Sequence, residues 1–578
     1  MGYDSKPVRA PRSAGRLLRT LARIVESPAG AALLGKTLLE SAGIPAFRAT
    51  LADDPPWPLA SPRRVDAPTP AGAPLADLAP LGPPEHAGAG DGFPKETLAA
   101  AGVPWATSAD YAAAYREGRA DPEGVGRAVL EACAASERST PPLRAIIAQD
   151  ADDLMAQARA SALRWKAGNP LGPLDGVPVA IKDELDLTPY PTTVGTAFLH
   201  DVPAVDATVV SRLRAAGALL IGKANMHEIG IGVTGVNPHH GAARNPYDPQ
   251  RATGGSSSGP AAAVASGLCP IAIGADGGGS IRLPSALCGV AGLKPTFGRV
   301  SEAGAAPLCW TLAHVGPLGA TVRDVALAYG VIAGPDLKDL NSMPQPRPSL
   351  EGFGQSDLRG VRVGVYRPWF EDADPAVVAS CRSSLEILAA AGARICEIEI
   401  PELVLLRAVH LVTIVSEMAT AHDRYQAEHR RYYGADTRVS LALARMLTAR
   451  DYIHAQRLRT RLLRHFDNAL AEVDVIATPT SACTAPLIPA DALATGESNL
   501  EVTAQIMRFA QPGNLTGLPA LTVPAGYDDG GMPVGFQMMG RAWDEALLLR
   551  LGRVIEASVE RRAPRVRFTP LADAGSRA

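Results

Sequence analysis

The sequence predicts a large α/β protein in which helices are layered on a sheet. Helical stretches at 107–135, 150–166 and 205–216 alternate with short β-like runs at 177–181, 218–221, 268–273 and 361–365. Of 578 residues, 47% are hydrophobic and 20% charged, ample apolar material for a large core. No internal repeat of 20 to 50 residues is present, and no second proline-rich break divides 95–570, so one large domain is expected there.

In chain order, the first element is a helical hairpin over 11–43. Leu17, Leu21, Ile24 and Val25 share one helical face, and Arg12, Arg16, Arg19 and Arg23 populate the other. Such a basic amphipathic helix either packs its stripe on the protein body or lies in a membrane surface. Pro28 and Gly43 bracket a second apolar helix with Leu33, Leu34, Leu38 and Leu39. Eleven prolines among the alanines and glycines of 55–94 then favour extended chain. The expected organisation is a hairpin (1–50), a linker (51–94), a main domain (95–570) and a short tail (571–578).

Composition excludes several function classes. Fifty-six basic against 59 acidic residues, net charge −3, offer none of the positive field that a phosphate backbone requires, so nucleic acid is a poor partner. The seven cysteines (133, 269, 288, 309, 381, 396, 483) are odd in number, scattered and never in a CxxC arrangement. Neither a disulfide framework nor a metal site is expected, and a reducing compartment fits. The start Met1-Gly2-Tyr3-Asp4 has no apolar run, and Lys6 stands where a myristoylation signal needs Ser or Thr. The longest uncharged windows, such as 252–275, are broken by Gly, Ser and Pro. A cytoplasmic chain without a bilayer span is expected.

Three motif matches fail on context. Gly217 to Lys223 has P-loop spacing, but Ala224 replaces the magnesium-binding hydroxyl and the intervening residues read as a strand. Gly230-Ile-Gly232-Val-Thr-Gly235 matches GxGxxG with no strand leading into it. Gly255-Ser256-Ser257-Ser258-Gly259 matches the nucleophile elbow GxSxG, with six histidines downstream as bases. The elbow needs a strand feeding it, and Pro246 and Pro249 forbid one.

The informative region is 254–282, where two Ser/Gly clusters flank an alanine-rich helix and a short apolar strand. Gly277-Gly278-Gly279 ahead of Ser280 allows positive φ and consecutive N–H groups aimed at one point, an anion nest beside a hydroxyl. Such a nest suits the oxyanion of acyl transfer, or it is a glycine turn with a structural serine. Serine needs a base, and Lys182 directly follows the strand run 177–181. A solvated lysine is an ammonium and accepts no proton, whereas burial disfavours the charge. The alternative is a snorkelling strand-end lysine.

These segments resemble a known family. Gly176-Val177-Pro178-Val179-Ala180-Ile181-Lys182-Asp183, Gly254-Gly255-Ser256-Ser257-Ser258-Gly259, Asp276-Gly277-Gly278-Gly279-Ser280-Ile281-Arg282-Leu283-Pro284 and Cys288-Gly289-Val290-Ala291-Gly292-Leu293-Lys294-Pro295 are similar, in order and separation, to the amidase signature family. Similarity continues through Gly222 to Glu228, Thr478-Pro479-Thr480 and Gly517 to Ala520, covering 95–560. The Ser-Ser-Ser variant at 256–258, the Asp-Gly-Gly-Gly-Ser variant at 276–280 and Asp436-Thr437-Arg438 resemble the plant-type fatty acid amide hydrolases within it.

The resemblance implies a large mixed, twisted β-sheet covered by helices on both faces, and a Ser–Ser–Lys relay without metal or cofactor. Ser280 would be the nucleophile, Ser256 the bridging serine on a cis peptide, and Lys182 the base. The amides of Gly277, Gly278, Gly279 and Ser280 would hold the oxyanion, Ser257, Asp276 and Arg282 would brace the site, and the backbone near Gly230 would meet the substrate. Ile506, Met507 and Phe509 are candidates for an acyl channel, against an ordinary core role. The expected substrate is a fatty acid amide such as an N-acylethanolamine. The hairpin would cover the channel or touch a membrane peripherally, and a homodimer is allowed. Rival readings are a short-chain or aryl acylamide amidase, a glutamine-hydrolysing subunit of a transamidation complex, and a non-catalytic lipid-binding protein.

Overall fold

The computed structural model describes residues 11–50 and 103–575; the expected linker over 51–94 lies outside the described residues. In chain order the strands begin β1 (Ser13–Ala14), β2 (Ile146–Ala148), β3 (Pro178–Lys182), β4 (Leu219–Ala224), β5 (Ile271–Ala275), β6 (Ala291–Lys294) and β7 (Val315–Gly319). They continue with β8 (Arg362–Val365), β9 (Arg394–Glu397), β10 (Val475–Pro479), β11 (Glu497–Ser498), β12 (Ala520–Tyr527) and β13 (Pro533–Gly540). Eleven of them form one mixed sheet, in the order β2-β4-β3-β5-β7-β6-β12-β13-β10-β8-β9. The α/β class read from the alternation is the class observed.

Sheet register places the site. β3 runs parallel to both neighbours, with Val179 opposite Ile271 and Ile181 opposite Ile273 of β5 and Lys182 opposite Ala224 of β4. Strands flanked in parallel are covered on both faces, hence the unbroken apolar run at 177–181. The carboxyl ends of β3 and β5 therefore lie side by side, where open α/β sheets place their ligands. The alanine-rich helix Ser258–Ala265 is wholly buried against this part of the sheet. Its close approach depends on Gly259, where a β-carbon would fall 2.2 Å from the Asn225 backbone nitrogen.

Boundaries shift where turn chemistry overrides periodicity. The helix expected over 107–135 is two helices, Ser108–Arg116 and Pro122–Arg138. Gly118 turns at φ 68°, and Asp121 caps the second helix by accepting from Gly124 N–H, with Pro122 in its first turn. The strand expected from 268 starts at Ile271, after Pro270.

The N-terminal segment folds as α1 (Gly15–Val25), α2 (Pro28–Ser41) and α3 (Ile44–Ala49). The structure corrects the face expected for α1. Its buried stripe is Leu18, Ala22 and Val25, packed on Ala435, Val439 and Ala442 of the helix Ala435–Ala444. The 4-3 spacing of these three matches one helical face, whereas Leu17 and Ile24 stand outward, 63% and 38% exposed, with Leu21 half-buried between. Arg12 pairs with Asp491 at 2.6 Å and with Glu497, β1 pairs with β11, Glu26 binds Arg438 at 2.5 Å, and Arg48 binds Asp451 at 2.8 Å. Among the described residues one helical stretch, Leu403–Tyr432, is long and apolar enough to cross a membrane, and half of its most apolar window is buried inside the protein.

Candidate active site

Lys182 ends β3 in the interior, 1% exposed. Its Nζ donates to Ser256 Oγ at 2.8 Å and to the Ala275 carbonyl at 3.2 Å. A third contact was not expected from sequence: Glu184 Oε2 lies 2.6 Å away as an ion pair. Ser256 follows a cis Gly255–Ser256 peptide, and its carbonyl accepts from His227 N–H at 3.1 Å. Ser257 N–H donates to the Ser280 carbonyl at 3.2 Å, which seats Ser280 against the segment carrying Ser256. All three residues of the expected relay are buried in one region at the carboxyl ends of β3 and β5.

The glycine run after β5 forms a turn closed by Asp276. Asp276 Oδ1 accepts from Gly279 N–H at 2.6 Å, and Oδ2 from Ile281 N–H at 3.1 Å. This revises the expected oxyanion donors: the Gly279 amide is already engaged, whereas the amides of Gly277, Gly278 and Ser280 meet no acceptor among the described residues and are open to a ligand. Gly279 contributes its φ of 121°, and a β-carbon there would meet Leu283 and Ala510 within 2.7 Å. From the helix Leu406–His429, His410 donates its Nε2–H to the Gly277 carbonyl at 2.9 Å. Burial pushes this imidazole down to about 4, so it is neutral and serves as a fixed donor.

Behind the turn Asp276 and Arg282 form a fully buried two-point pair, at 3.0 and 3.1 Å. Arg282 also donates to Ala510 O at 2.8 Å, Gln537 Oε1 at 2.7 Å and Asn514 Oδ1 at 2.6 Å. Asn514 Nδ2 returns to Asp276 Oδ1 at 2.9 Å. Burial alone would raise the Asp276 carboxyl; the Arg282 guanidinium, then Lys294 and Asn514, hold it well below the usual carboxylate range. Ser257 Oγ donates to Ala275 O at 3.2 Å, the carbonyl that Lys182 also uses.

Gly230 lies against the bridging serine, since a β-carbon there would stand 3.5 Å from Ser256 Oγ. The three channel candidates separate. Ile506 packs with Val233 and Leu283, and Phe509 meets Trp369 with ring centroids 5.5 Å apart and planes tilted by 44°; both are fully buried core, which corrects their expected place on a channel. Met507 is half-buried and reaches within 3.0 Å of where a Gly278 β-carbon would be, so it alone of the three borders the nest. Sequence reasoning missed Glu184, His410 and Asn514. Glu184 stood two residues past Lys182, whereas the other two come from distant helices with no local signal.

Among the described residues no group of three or more His, Cys, Asp or Glu is placed to hold a metal ion.

Residues 127–549 match the Amidase family. The chain is 46% identical over 456 residues to a fatty acid amide hydrolase of Oryza sativa subsp. indica, covering 77% of this chain and 75% of the relative. It is 38% identical over 452 residues to a glutamyl-tRNA(Gln) amidotransferase subunit from Chloroflexus aggregans, covering 73% and 91%. Among solved structures, the native peptide amidase from Stenotrophomonas maltophilia superposes with a TM-score of 0.68 at 30% identity, covering 80% of this chain and 99% of that one.

Proposed function

The chain belongs to the amidase signature family, and from that premise we propose that it is a serine hydrolase cleaving fatty acid amides to a fatty acid and an amine through a Ser–Ser–Lys relay. The single observation that carries the relay is the buried Lys182 Nζ at 2.8 Å from Ser256 Oγ, beside the glycine turn that ends in Ser280. Neutral Lys182 takes the Ser256 proton as Ser256 takes that of Ser280, and Ser280 Oγ bonds to the amide carbonyl carbon. The oxyanion sits on the amides of Gly277, Gly278 and Ser280, in a turn braced by Asp276, Arg282 and His410. Ser256, reprotonated by Lys182, gives its proton to the departing amine as the C–N bond breaks. Water then hydrolyses the acyl-enzyme by the same proton path.

The lipid reading is supported by the greater identity to the Oryza fatty acid amide hydrolase than to the Chloroflexus amidotransferase subunit. A panel of N-acylethanolamines of graded chain length, aryl acylamides, amino-acid amides and glutamine tests it. We expect kcat/KM to climb with acyl length. A preference for short or aryl amides removes the lipid assignment, and glutamine hydrolysis only in the presence of other subunits replaces it with the amidotransferase reading.

We place the protein in the cytoplasm, touching a membrane peripherally through α1 and α2. The support is three exposed apolar side chains, Leu17 and Ile24 on one face of α1 and Leu33 of α2, the last 75% exposed, together with the exposed Arg16, Arg19 and Arg23 of α1. The Leu18, Ala22 and Val25 face of α1 is fixed to the body, which keeps Leu17 and Ile24 at the surface. Each apolar side chain fully buried in lipid contributes about 1.5 to 3 kcal/mol. Replacing Leu17, Ile24 and Leu33 together by glutamate should therefore weaken sedimentation with anionic liposomes by at least about tenfold, with turnover of a soluble short amide unchanged. Equal sedimentation by the two proteins would remove the membrane role.

A further inference from the structure

Lys182 Nζ donates hydrogen bonds to Ser256 Oγ and Ala275 O, and Glu184 Oε2 lies 2.6 Å away as an ion pair. A lysine that donates to Ser256 while paired with a carboxylate is an ammonium, and it has to lose a proton before it can accept one. Glu184 is buried, and apart from the ion pair with Lys182 its Oε2 meets no hydrogen-bond donor among the described residues. The same carboxylate lines a cavity of about 170 Å³ with Ala275, Glu302, Cys309, Lys338 and Asp339. Lys338 is exposed and Asp339 half-buried, so this cavity reaches the surface.

We propose that Glu184 takes the proton that Lys182 must release, and that this proton exchanges with water through the acidic cavity shared with Glu302 and Asp339. The inference deepens the relay reading and rests on it. The step is one proton transfer: the Lys182 N–H bond breaks, an O–H bond forms on Glu184, and an ammonium–carboxylate pair becomes an amine and a carboxylic acid. Nothing is oxidised, and the amine lone pair is now free for the Ser256 proton. Glu184 acts through Lys182 and is a positioning residue.

The surroundings suit a carboxyl that changes state. Burial and the carboxylates of Asp339, Glu184 and Glu417 push the Glu302 carboxyl well up, so the cavity holds a second carboxyl able to carry a proton. Burial, with Glu417, Glu302 and Glu184, pushes the Cys309 thiol well up, so it stays a thiol. Lys223 is engaged with Asp183 at 3.4 Å and leaves Glu184 as the carboxylate on Lys182.

The test is the pH profile of kcat/KM on a soluble amide for the full chain, Glu184→Gln and Glu184→Asp. The parent should be flat across neutral pH, because Glu184 takes the Lys182 proton directly, without waiting for its release to bulk solvent. Glu184→Gln must lose the Lys182 proton to solvent, so its rate should fall about 100-fold near pH 7 and recover about tenfold per pH unit as pH rises. Glu184→Asp keeps an acceptor and should keep the flat profile. A Glu184→Gln profile equal to the parent's, or one displaced toward acid, would overturn the proposal; displacement toward acid would mean that Glu184 only held the ammonium. Equal loss in both variants at every pH would overturn it as well, by showing a packing effect. If Lys182→Met keeps full turnover, the relay itself is wrong, and the proposal goes with it whatever Glu184→Gln does.

Discussion

Replacing Ser280 by alanine is expected to lower kcat/KM for every amide by at least about 10⁴-fold, with the folded protein retained. The size follows from chemistry: alanine offers no oxygen to carry the acyl group, and water attacking directly keeps only the contribution of the nest and of substrate positioning. Folding should survive, because Ser280 contributes its backbone carbonyl to Ser257 N–H, and alanine keeps that carbonyl. The same variant should refuse a fluorophosphonate that labels the parent at residue 280, while a lipid amide still binds. Ser257→Ala provides the contrast. It lacks a hydroxyl that serves the Ala275 carbonyl, and so should lose far less. Labelling at any other position, or residual turnover within tenfold of the parent, removes Ser280 from the nucleophile's place. Binding lost together with catalysis points instead to a collapsed turn, which a thermal melt of the variant distinguishes.

What the sequence showed of this site is what local rules control. An apolar run bounded by Gly176 and Lys182 can only be a buried strand with a lysine at its end, and three successive glycines before Ser280 allow few structures other than a tight turn. The alternation of helices and strands was legible for the same reason, and the α/β class followed. What stayed hidden depends on pairings between distant segments. Periodicity alone could not choose between Leu17 and Leu18 as the inward residue of α1, because apolar side chains lie on both sides and the choice is made by Ala435, Val439 and Ala442. Gly279 looks like an oxyanion donor by its place in the glycine run, and only the fold shows Asp276 occupying its amide. Ile506 and Phe509 look like channel residues by type, and only the packing on Val233 and Trp369 shows them to be core. Glu184 was adjacent in sequence, yet only the turn after β3 brings its carboxylate back to the amine two residues earlier.

Arg282→Met should be the most destabilising single change near the site. It leaves Asp276 buried without its counter-charge and strips donors from Ala510 O, Gln537 and Asn514. Breaking a buried pair in this way costs about 3 to 5 kcal/mol, which a thermal melt should register as a fall of several degrees. The dependence on pH carries the sharper test, because it changes sign. In the parent the Asp276 carboxyl is held below its ordinary value, so its contribution is complete above about pH 4 and is lost only as acid protonates it. The parent's stability should therefore not rise on acidification toward pH 5. In the variant only burial and the remaining neighbours act on Asp276, the native state binds a proton that the unfolded chain does not, and stability increases as pH falls from 7 toward 5. A variant that melts within about one degree of the parent, or whose melting temperature does not rise on acidification from pH 7 toward 5, would show that the guanidinium is not what keeps Asp276 ionised. Since Asp276 fixes the Gly279 amide and, through Asn514 and Arg282, the turn as a whole, the same variant should lose hydrolysis at temperatures where it is still folded. The brace and the reaction are thus tested on one protein, with the melt reporting the first and fluorophosphonate labelling the second.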